Sequence, residues 1–403
     1  MRIVENTVIK FDIERCAGDS RCGGRYPEES CPLEAKHKIR AATSRGLLTM
    51  MTQVIEGRLR PSKEMAEFFY QCTMCGQCEQ RCEMMIGSNM EIFQAFKADL
   101  IDLGLAPPKV RDFLQNIIRE GNPWGLARES RADWLAGTSI KKYEQGDEYL
   151  FYVGSSGSYD PRCQKIVKTI AGIFMNCGVS FGGLGNEENS DGNEVRMMRE
   201  EALFELLANE NIKKWSELKV RKIVTYSPHA YNAIRNYYRA FEGGRFEVVH
   251  YTHLLSELIE TGKTALLDKG DQARIVYHDP CFLGRYNEIY DTPRGILRTL
   301  PGIELIEMKR SRENAFCCGG GGGNYYTGMQ GEGGDGNSAA SRIRIREAFE
   351  TGADTLAVAC PGCLTMFEDA IKTEGLETKF KVQDISEIAK ERMRNKPDKG
   401  KSQ

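Results

Sequence analysis

The chain has little net charge and no long apolar run. Its 403 residues carry a formal charge of -2 at neutral pH with an isoelectric point near 6.3, so no basic surface for nucleic acid or an anionic membrane is predicted. The first residues, MRIVENTVIKFDIERC, lack the basic and apolar regions of a secretory signal, and no stretch approaches the roughly 20 apolar residues that span a bilayer. We therefore expect a cytoplasmic globular protein without a direct membrane span.

Nucleotide-binding fingerprints are also missing. The five glycines at 319–323 are not followed by the Lys-Ser/Thr pair of a phosphate-binding loop. No glycine fingerprint with a downstream acid, typical of dinucleotide-binding sheets, is evident. We therefore predict neither flavin nor nicotinamide in this chain.

Cysteine, in contrast, is abundant, with 14 residues in two main groups. One group occupies residues 16–82 and the other residues 281–363, and only Cys163 and Cys177 lie between them. In a reducing cytoplasm, clustered cysteines are metal ligands or redox thiols rather than a disulfide framework. The sequence therefore predicts two metal-binding modules.

The end of the first group has a ferredoxin-like spacing. The segment CTMCGQCEQRC places its cysteines at C-x2-C-x2-C-x3-C, which is typical of [4Fe-4S] clusters. In two-cluster arrangements the fourth cysteine of such a run binds the other cluster, and a cysteine followed by proline completes the first. Cys31-Pro32 offers that thiol. The first cluster is therefore predicted to use Cys31, Cys72, Cys75 and Cys78.

The earlier cysteines form a distorted counterpart of this motif. Cys16 and Cys22, together with Cys82, are predicted to hold a second cluster, although a regular motif would have one more cysteine. A cubane with a non-cysteine ligand, a three-iron cluster, and a single cluster held by the whole run at 72–82 are open alternatives. Zinc is a further alternative for this module.

The residues around these cysteines have helical periodicity. Segments 33–57 and 88–105 carry apolar residues at helical spacing, and the second begins with a plausible Ser88 cap. The first module is therefore predicted to be a small helical domain around its cysteines.

The second cysteine group combines three short segments. Cys281 follows the apolar run IVYHDP, and Cys360 and Cys363 form C-P-G-C after TLAVA, so both segments are placed where a strand ends. The adjacent Cys317 and Cys318 lie in a loop of the same unit. Five thiolates exceed the four of a tetrahedral zinc site, which favours a multinuclear iron–sulfur cluster.

Glycines follow this adjacent pair directly. Without side chains, the backbone at 319–323 can approach a cluster closely, and its N–H groups can donate hydrogen bonds there. We therefore expect cofactor-binding roles for Gly319 and Gly320.

The second half of the chain contains an internal repeat. EYLFYVGSSGSYDPR matches ARIVYHDPCFLGRYN, KIVTYSPHAYNAI matches TLAVACPGCLTMF, and FEVVHYTHLLSELI matches FKVQDISEIAKERM. Strands are predicted at 149–154, 221–226, 273–277 and 355–359. Where the second copy has cysteines, the first has other residues: Ser155, Asn189, Ser190, Ser227 and Ala230. We therefore expect two α/β units, with cluster ligands in the second alone.

The second-copy pattern, with its contexts HDPCFLGRYN and RENAFCCGGGGG, resembles the cysteine-rich CCG domain of heterodisulfide reductase catalytic subunits. The resemblance covers about residues 10–393. It implies an α+β multidomain protein with a helical ferredoxin-like [4Fe-4S] domain at 1–120, a degenerate CCG domain without cluster ligands at 146–262, an intact CCG domain at 270–393 and a disordered tail at 394–403.

The same resemblance implies a noncubane [4Fe-4S] cluster in the intact domain. Members with one intact motif are nearer in pattern than those that reduce a heterodisulfide between two clusters; examples are the K-type protein associated with dissimilatory sulfite reductase and a component of the ATP-independent benzoyl-CoA reductase complex. The implied ligands, which are also the implied catalytic residues, are Cys281, Cys317, Cys318, Cys360 and Cys363.

The resulting hypothesis is an iron–sulfur electron-transfer subunit of a larger cytoplasmic redox complex of anaerobic metabolism. One or two cubane [4Fe-4S] clusters in the N-terminal module would exchange electrons with one noncubane [4Fe-4S] cluster. The expected partners are other redox subunits: a flavoprotein, a ferredoxin-like subunit or a membrane subunit. One alternative is a disulfide reductase subunit acting on a thiol cofactor or a cysteine-bearing protein, and another is a zinc-stabilised scaffold protein.

Overall fold

Helices form the N-terminal part of the described chain. The computed structural model describes residues 13, 30–82, 88–268, 271–331, 337 and 339–394. Within these residues a 3-10 helix, Arg128–Leu135, precedes the first strand. The α-helices before it are α1 (Pro32–His37), α2 (Ser44–Ile55), α3 (Lys63–Tyr70), α4 (Gln77–Gln80), α5 (Asn89–Asp102) and α6 (Pro108–Glu120).

The helical pattern predicted over 33–57 is interrupted between α1 and α2. Lys38 has a left-handed φ of 55°, and Thr43 caps α2 by accepting a hydrogen bond from the Gly46 amide at 3.3 Å. A Cβ atom on Gly46 would lie 2.2 Å from the Ala41 carbonyl oxygen, so the turn depends on this glycine. The Ser88 cap of α5 is present as predicted.

The first sheet has four parallel strands in the order β2-β1-β3-β4. Leu150 in β1 pairs with Gly182 on one side and Ile223 on the other. The strands are β1 (Tyr149–Tyr152), β2 (Phe181–Gly182), β3 (Lys222–Thr225) and β4 (Glu247–His250). The helices of this unit are α7 (Gly154–Tyr159), α8 (Pro161–Asn176), α9 (Asn193–Met198), α10 (Glu201–Glu217), α11 (Pro228–Asn232) and α12 (Tyr251–Glu260).

The second sheet repeats this arrangement in the order β6-β5-β7-β8. Val276 in β5 pairs with Ile306 on one side and Leu356 on the other. The strands are β5 (Ala273–Tyr277), β6 (Ile303–Ile306), β7 (Thr355–Val358) and β8 (Lys381–Asp384). The helices are α13 (Asp291–Thr299), α14 (Asn324–Thr327), α15 (Ala340–Glu350), α16 (Pro361–Thr373) and α17 (Ile385–Arg392).

The segments matched in the sequence repeat lie on equivalent strands of the two sheets. The four predicted strands correspond to β1, β3, β5 and β7 and differ from them by at most two residues at either end. The prediction of a mixed α+β protein is therefore confirmed. The domain limits at 1–120, 146–262 and 270–393 stay a prediction, and the predicted tail falls almost wholly outside the described residues.

The units are packed against each other through buried side chains. One hydrophobic cluster extends from Leu33 in the helical part to Ala389 in α17. The Tyr251 hydroxyl donates to Asp384 Oδ1 at 2.8 Å, and Arg162 makes a bidentate pair with Glu387 at 2.7 Å. These contacts join helices α8 and α12 of the first unit to β8 and α17 of the second. None of the described helices has the length and apolar character that a membrane span requires.

Candidate metal centres

The C-terminal cysteines converge at the carboxyl ends of β5 and β7. Loops meet at this edge of a parallel sheet, which is where such folds place their sites. Cys360 is the N-cap of α16, and Cys363 lies in its first turn, with its sulfur 3.3 Å from that of Cys318. Each of the five predicted ligands is at most 7% exposed: Cys281, Cys317, Cys318, Cys360 and Cys363.

Hydrogen bonds among these thiols divide them into donors and acceptors. Donation from Cys281 lowers the pKa of Cys317, and donation from Cys317 and Cys363 lowers the pKa of Cys318 well below its usual value. The same bonds raise the pKa of Cys281 and Cys363. Thiolates are the form of cysteine that binds metal. The five thiols therefore interact with one another before any metal is bound, and metal binding would use their thiolate forms.

Cys360 accepts a hydrogen bond from the first α/β unit. Burial alone would raise the pKa of Cys360, but hydrogen bonds from Cys363 and His229 lower it well below its usual value. Burial alone would likewise lower the pKa of His229, whereas Glu194 and Cys360 raise it well above the usual value. His229 Nδ1 contacts Glu194 Oε1. The first unit thus places the His229 imidazole beside a predicted ligand of the second.

Two glycines donate backbone hydrogen bonds to cysteine sulfur atoms. The Gly319 amide lies 3.3 Å from Cys317 Sγ, and the Gly320 amide lies 3.5 Å from Cys318 Sγ. Gly319 has a φ of +93°, a conformation that other residues rarely adopt. Such amides stabilise thiolates and orient metal ligands.

The next glycines contact the N-terminal cysteine loop instead. A Cβ atom on Gly321 would lie 2.4 Å from the Thr73 carbonyl oxygen, and one on Gly322 would lie 2.6 Å from that of Cys72. The expectation that the whole run lies beside one cluster is therefore too simple. Its first residues contact the C-terminal cysteines, and the following ones join that loop to the N-terminal module.

Four N-terminal cysteines line a second pocket, which has about 450 Å³ of empty space. Burial raises the pKa of Cys31, Cys72 and Cys78. Many of the other lining residues are apolar, including Leu33 and Phe93. The cysteines are those predicted to share one cluster: Cys31, Cys72, Cys75 and Cys78.

The remaining predicted ligands do not join this pocket in the described chain. Cys82 is half-buried and is not one of the lining residues. Cys16 and Cys22 lie outside the described residues. The second ferredoxin-type cluster therefore stays a prediction.

A buried ammonium tests whether the N-terminal pocket suits an anionic iron–sulfur cluster. Lys97 is fully buried, and its Nζ has no hydrogen-bond partner among the described residues. Its surroundings include the Tyr70 ring, with the centroid at 5.0 Å, and the attracting groups Cys72 and Glu194. A buried cation needs compensating negative charge, since its desolvation costs several kcal/mol. A thiolate-bound cluster carries such charge, so these residues fit the group.

The two cysteine sets meet at Cys75 and Cys317. The proximity of Cys317 raises the pKa of Cys75, and the pKa of Cys317 is lowered first by Cys281 and then by Cys75. The Arg285 guanidinium lies at the same junction, and its Nε donates to the Cys75 carbonyl at 2.7 Å. Neither the contact nor the arginine was apparent from cysteine spacing.

A cleft of about 800 Å³, partly open to solvent, reaches the C-terminal cysteines between the two α/β units. Hydroxyls of the first unit line it: Ser155, Ser190 and Ser227. Cysteines of the second unit line it too: Cys281, Cys318, Cys360 and Cys363. Three of the five substituted positions of the first copy therefore share a cavity with thiols of the second.

His278 is a candidate ligand that the sequence analysis missed. A ligand atom of this residue and the sulfur atoms of Cys318 and Cys363 all lie within 4.8 Å of one another. Arg344 Nε donates to His278 Nδ1 at 3.2 Å, and burial holds the pKa of the imidazole well below its usual value. A neutral imidazole is the form that binds metal. The signal was its place three residues before Cys281, directly after β5.

Comparison with known proteins gives two kinds of match. The family profile of the cysteine-rich domain CCG matches residues 275–368. The "Probable iron-sulfur-binding oxidoreductase FadF" of Bacillus subtilis is 39% identical over 331 residues, which are 80% of this chain and 46% of that protein. The "EtfAB:quinone oxidoreductase" of Syntrophomonas wolfei is 33% identical over 338 residues, 80% of this chain and 46% of that protein.

A shorter relative carries the name of a heterodisulfide reductase. It is the D-type component of the dihydromethanophenazine:CoB–CoM heterodisulfide reductase of Methanosarcina barkeri, which is 28% identical over 335 residues, 82% of this chain and 79% of that protein. The chain therefore has a CCG domain at residues 275–368 and is similar along most of its length to HdrD-like iron–sulfur oxidoreductases. It spans about half the length of the two other relatives.

A solved structure shares the overall fold. The crystal structure of a hypothetical protein from Helicobacter pylori superposes with a TM-score of 0.56 at 10% sequence identity. It covers 97% of this chain and 74% of the other. At this identity the likeness concerns the fold alone.

Proposed function

We propose that this chain is an iron–sulfur electron-transfer subunit in which two adjacent metal centres exchange electrons. The N-terminal centre would be a cubane [4Fe-4S] cluster in the pocket of Cys31, Cys72, Cys75 and Cys78. The C-terminal centre would be a noncubane [4Fe-4S] cluster held by the five CCG cysteines. Iron–sulfur clusters accept and release single electrons, and their potentials depend on net charge, hydrogen bonds to sulfur and solvent exposure.

One observation carries this proposal, namely the close packing of the N-terminal cysteine loop against the glycines that follow Cys317 and Cys318. Cys75 of the N-terminal set and Cys317 of the C-terminal set also influence each other's pKa. Gly321 and Gly322 press the two loops together, because their Cβ positions would overlap the Thr73 and Cys72 carbonyl groups. Two metal centres held by loops in direct contact are suited to electron transfer between them.

Hydrogen-bond donors around the C-terminal centre would stabilise the negative charge that reduction adds to it. Amides of Gly319 and Gly320 donate to thiolate sulfur, and His229 donates to Cys360. The cysteines are each at most 7% exposed, so within the described ranges water reaches their sulfur atoms only through the cleft. Fixed donors stabilise added negative charge without rearrangement of solvent.

The names of the relatives support a place in a larger redox system. The Syntrophomonas wolfei protein is named for a reaction between EtfAB and a quinone, and the Methanosarcina barkeri protein for one with a heterodisulfide. We infer that this chain works in a cytoplasmic complex with other redox subunits. A flavoprotein, a ferredoxin-like subunit or a membrane subunit would supply or remove its electrons.

The test removes one N-terminal ligand at a time in the intact chain. Cys75→Ala should block reduction of the C-terminal centre by the physiological partner while leaving iron at the five CCG cysteines. Cys78→Ala should have the same effect, although this residue does not bridge the two sets. Cys177→Ser, outside both sets, is the control. Electron paramagnetic resonance during stepwise reduction follows each centre separately.

Two results would count against this route. Reduction of the C-terminal centre at the normal rate in both alanine variants would make the N-terminal centre structural. Stoichiometric zinc without acid-labile sulfide in the unsubstituted chain would reject the iron–sulfur assignment altogether.

The cleft favours disulfide reduction as a second candidate function. It brings solvent-accessible space to Cys281, Cys318 and Cys360, with His229 beside them. Reduction of one disulfide consumes two electrons and two protons and releases two thiols. The substrate would therefore have to enter the cleft and contact the cysteines that line it. Incubation of the chemically reduced chain with glutathione disulfide, and separately with the CoB–CoM heterodisulfide, should yield two thiols per disulfide. Release of no thiol from either compound would leave electron transfer to a protein partner as the function.

A further inference from the structure

A buried guanidinium spans the junction of the two metal centres. Arg285 lies in the loop after β5 and is only 8% exposed. Its Nε donates to the Cys75 carbonyl at 2.7 Å, and its Nη1 donates to the carbonyls of Ala315 at 2.8 Å and Glu313 at 3.3 Å. It therefore ties the N-terminal cysteine loop to the segment that leads into Cys317.

The charge of Arg285 has an unusual set of partners. Within the described part of the chain, its hydrogen bonds go to backbone carbonyls and none goes to a carboxylate. Its main electrostatic attractions are to the sulfur atoms of Cys75, Cys281 and Cys317. Cys75 belongs to the N-terminal set, and the other two belong to the C-terminal set. One cation is thus shared by both ligand sets.

Other buried arginines in the chain are neutralised differently. Arg294 makes a bidentate pair with Asp279 at 2.6 and 2.9 Å and also contacts Glu307 at 2.6 and 2.8 Å. A buried cation without a carboxylate is expensive unless other negative charge lies close. At Arg285 the compensating negative charge would come from the cysteine thiolates and from the iron–sulfur clusters that we propose they hold.

We propose that Arg285 is a positioning residue that raises the reduction potentials of both metal centres together. Reduction adds negative charge to a centre, and a fixed positive charge in a buried, poorly screened environment stabilises the reduced state. Because Arg285 faces ligands of both sets, its effect falls on both potentials and favours sharing of an electron between them. The inference rests on the proposed presence of two centres.

Lys97 provides a matched comparison. It is also a buried cation without a hydrogen-bonded carboxylate in the described chain, but the only cysteine among its main electrostatic partners is Cys72. Its influence should therefore be confined to the N-terminal centre. Removing the charge of Arg285 should therefore change the reduction potentials of both centres, whereas removing that of Lys97 should change only the potential of the N-terminal centre.

The experiment is a redox titration of the full chain, with each centre followed by its electron paramagnetic resonance signal. Arg285→Gln keeps the capacity to donate hydrogen bonds and removes the charge. It should lower the equilibrium constant for reduction at both centres by at least tenfold, which is about 59 mV for a one-electron couple. Lys97→Met should shift the N-terminal centre alone. Arg285→Lys, which keeps the charge without the planar fork, should give a smaller shift at both centres.

The possible results separate this inference from the proposed function. Unchanged potentials in Arg285→Gln, or a shift at one centre only, would overturn the role of Arg285 while leaving both centres in place. If Arg285→Gln purifies without iron, Arg285→Lys decides, because it keeps the charge but displaces it: a shift at one centre only would overturn the role of Arg285, and shifts at both centres would support it. Absence of acid-labile sulfide from the unsubstituted chain would instead reject the proposed function.

Discussion

The two α/β units have the same strand order and different residues at the ends of their strands. In the second unit Cys281 follows β5 and Cys360 follows β7, whereas in the first unit Ser155 and Ser227 occupy the matching places. Both sheets are complete, because the central strands of each contribute buried aliphatic and aromatic residues, and the predicted cysteine ligands lie beyond the strand ends. The scaffold and its metal-binding loops are thus separable parts of this fold.

Helices α11 and α16 begin at equivalent places in the two units, but their N-cap residues differ. Ser227 caps α11, with its hydroxyl accepting from the Ala230 amide at 3.4 Å. Cys360 stands at the N-cap of α16 but makes no capping hydrogen bond through its side chain. The first unit uses this position for helix stability, and the second leaves its sulfur available to a metal.

The first unit also contributes directly to the second. Glu194 Oε2 accepts from the Gly323 amide at 2.6 Å, and its other oxygen contacts His229, which donates to Cys360. A unit without cysteine ligands therefore shapes the ligand loops of its neighbour.

The largest expected effect comes from changing the cysteine at the equivalent N-cap. Cys360→Ser should remove the iron and sulfide of the C-terminal centre, because a hydroxyl is a poor iron ligand beside thiolates. Ser227→Ala, at the matching place in the first unit, should leave the iron content unchanged. Metal and sulfide analysis of both variants checks this, and equal iron loss in the two would break the distinction between the units.

Removal of iron should destabilise the segments that carry the cysteines more than it destabilises the first sheet. Without bound metal, Lys97 and Arg285 lose compensating charge, a defect of about 3–5 kcal/mol for a buried pair that is broken. Hydrogen exchange should therefore speed up at residues 63–80 and 277–285, with much less change in β1, β3 and β4. Uniform acceleration across both sheets would show that the cluster sites stabilise the whole chain alike.

A smaller effect is expected from loss of the contact between His229 of the first unit and Cys360 of the second. His229→Ala should destabilise the reduced C-terminal centre by about 1.5–3 kcal/mol, as expected for loss of a hydrogen bond to a charged group. The N-terminal centre should keep its potential, and His229→Gln should recover part of the change. Potentiometric titration would contradict this account if both centres shifted equally.

The smallest effect belongs to the first unit alone. Ser227→Ala should lower the free energy of unfolding by about 0.5–2 kcal/mol through loss of the helix cap. Thermal unfolding of the iron-loaded chain measures this change. Altered potentials in the same variant would indicate that Ser227 acts on the metal centre through the shared cleft.

Much of the scaffold followed from local patterns in the sequence. The apolar runs at β1, β3, β5 and β7 were predicted because buried parallel strands are short continuous hydrophobic segments. The two-residue β2 leaves no such signal, and β6 is only partly buried. The interruption at Lys38 was missed, since apolar periodicity continues through it.

The contacts between modules could not be read from spacing. Cysteine patterns indicated which thiols share a site, including Cys31 with the later run, because ligand motifs are local. The Cys75–Cys317 contact, the place of Arg285 and the reach of His229 depend on how separate units pack. Each pairs residues more than a hundred positions apart, and no local rule encodes such a pairing.

The central claim is that two metal centres lie side by side and that the first α/β unit holds none. Anomalous diffraction at the iron edge, from crystals of the anaerobically purified chain, tests it most directly. The account predicts iron within the pocket of Cys31, Cys72, Cys75 and Cys78 and among the five CCG cysteines, with none between Ser155, Ser190 and Ser227. Iron between those serines, or its absence from either cysteine set, would contradict the account.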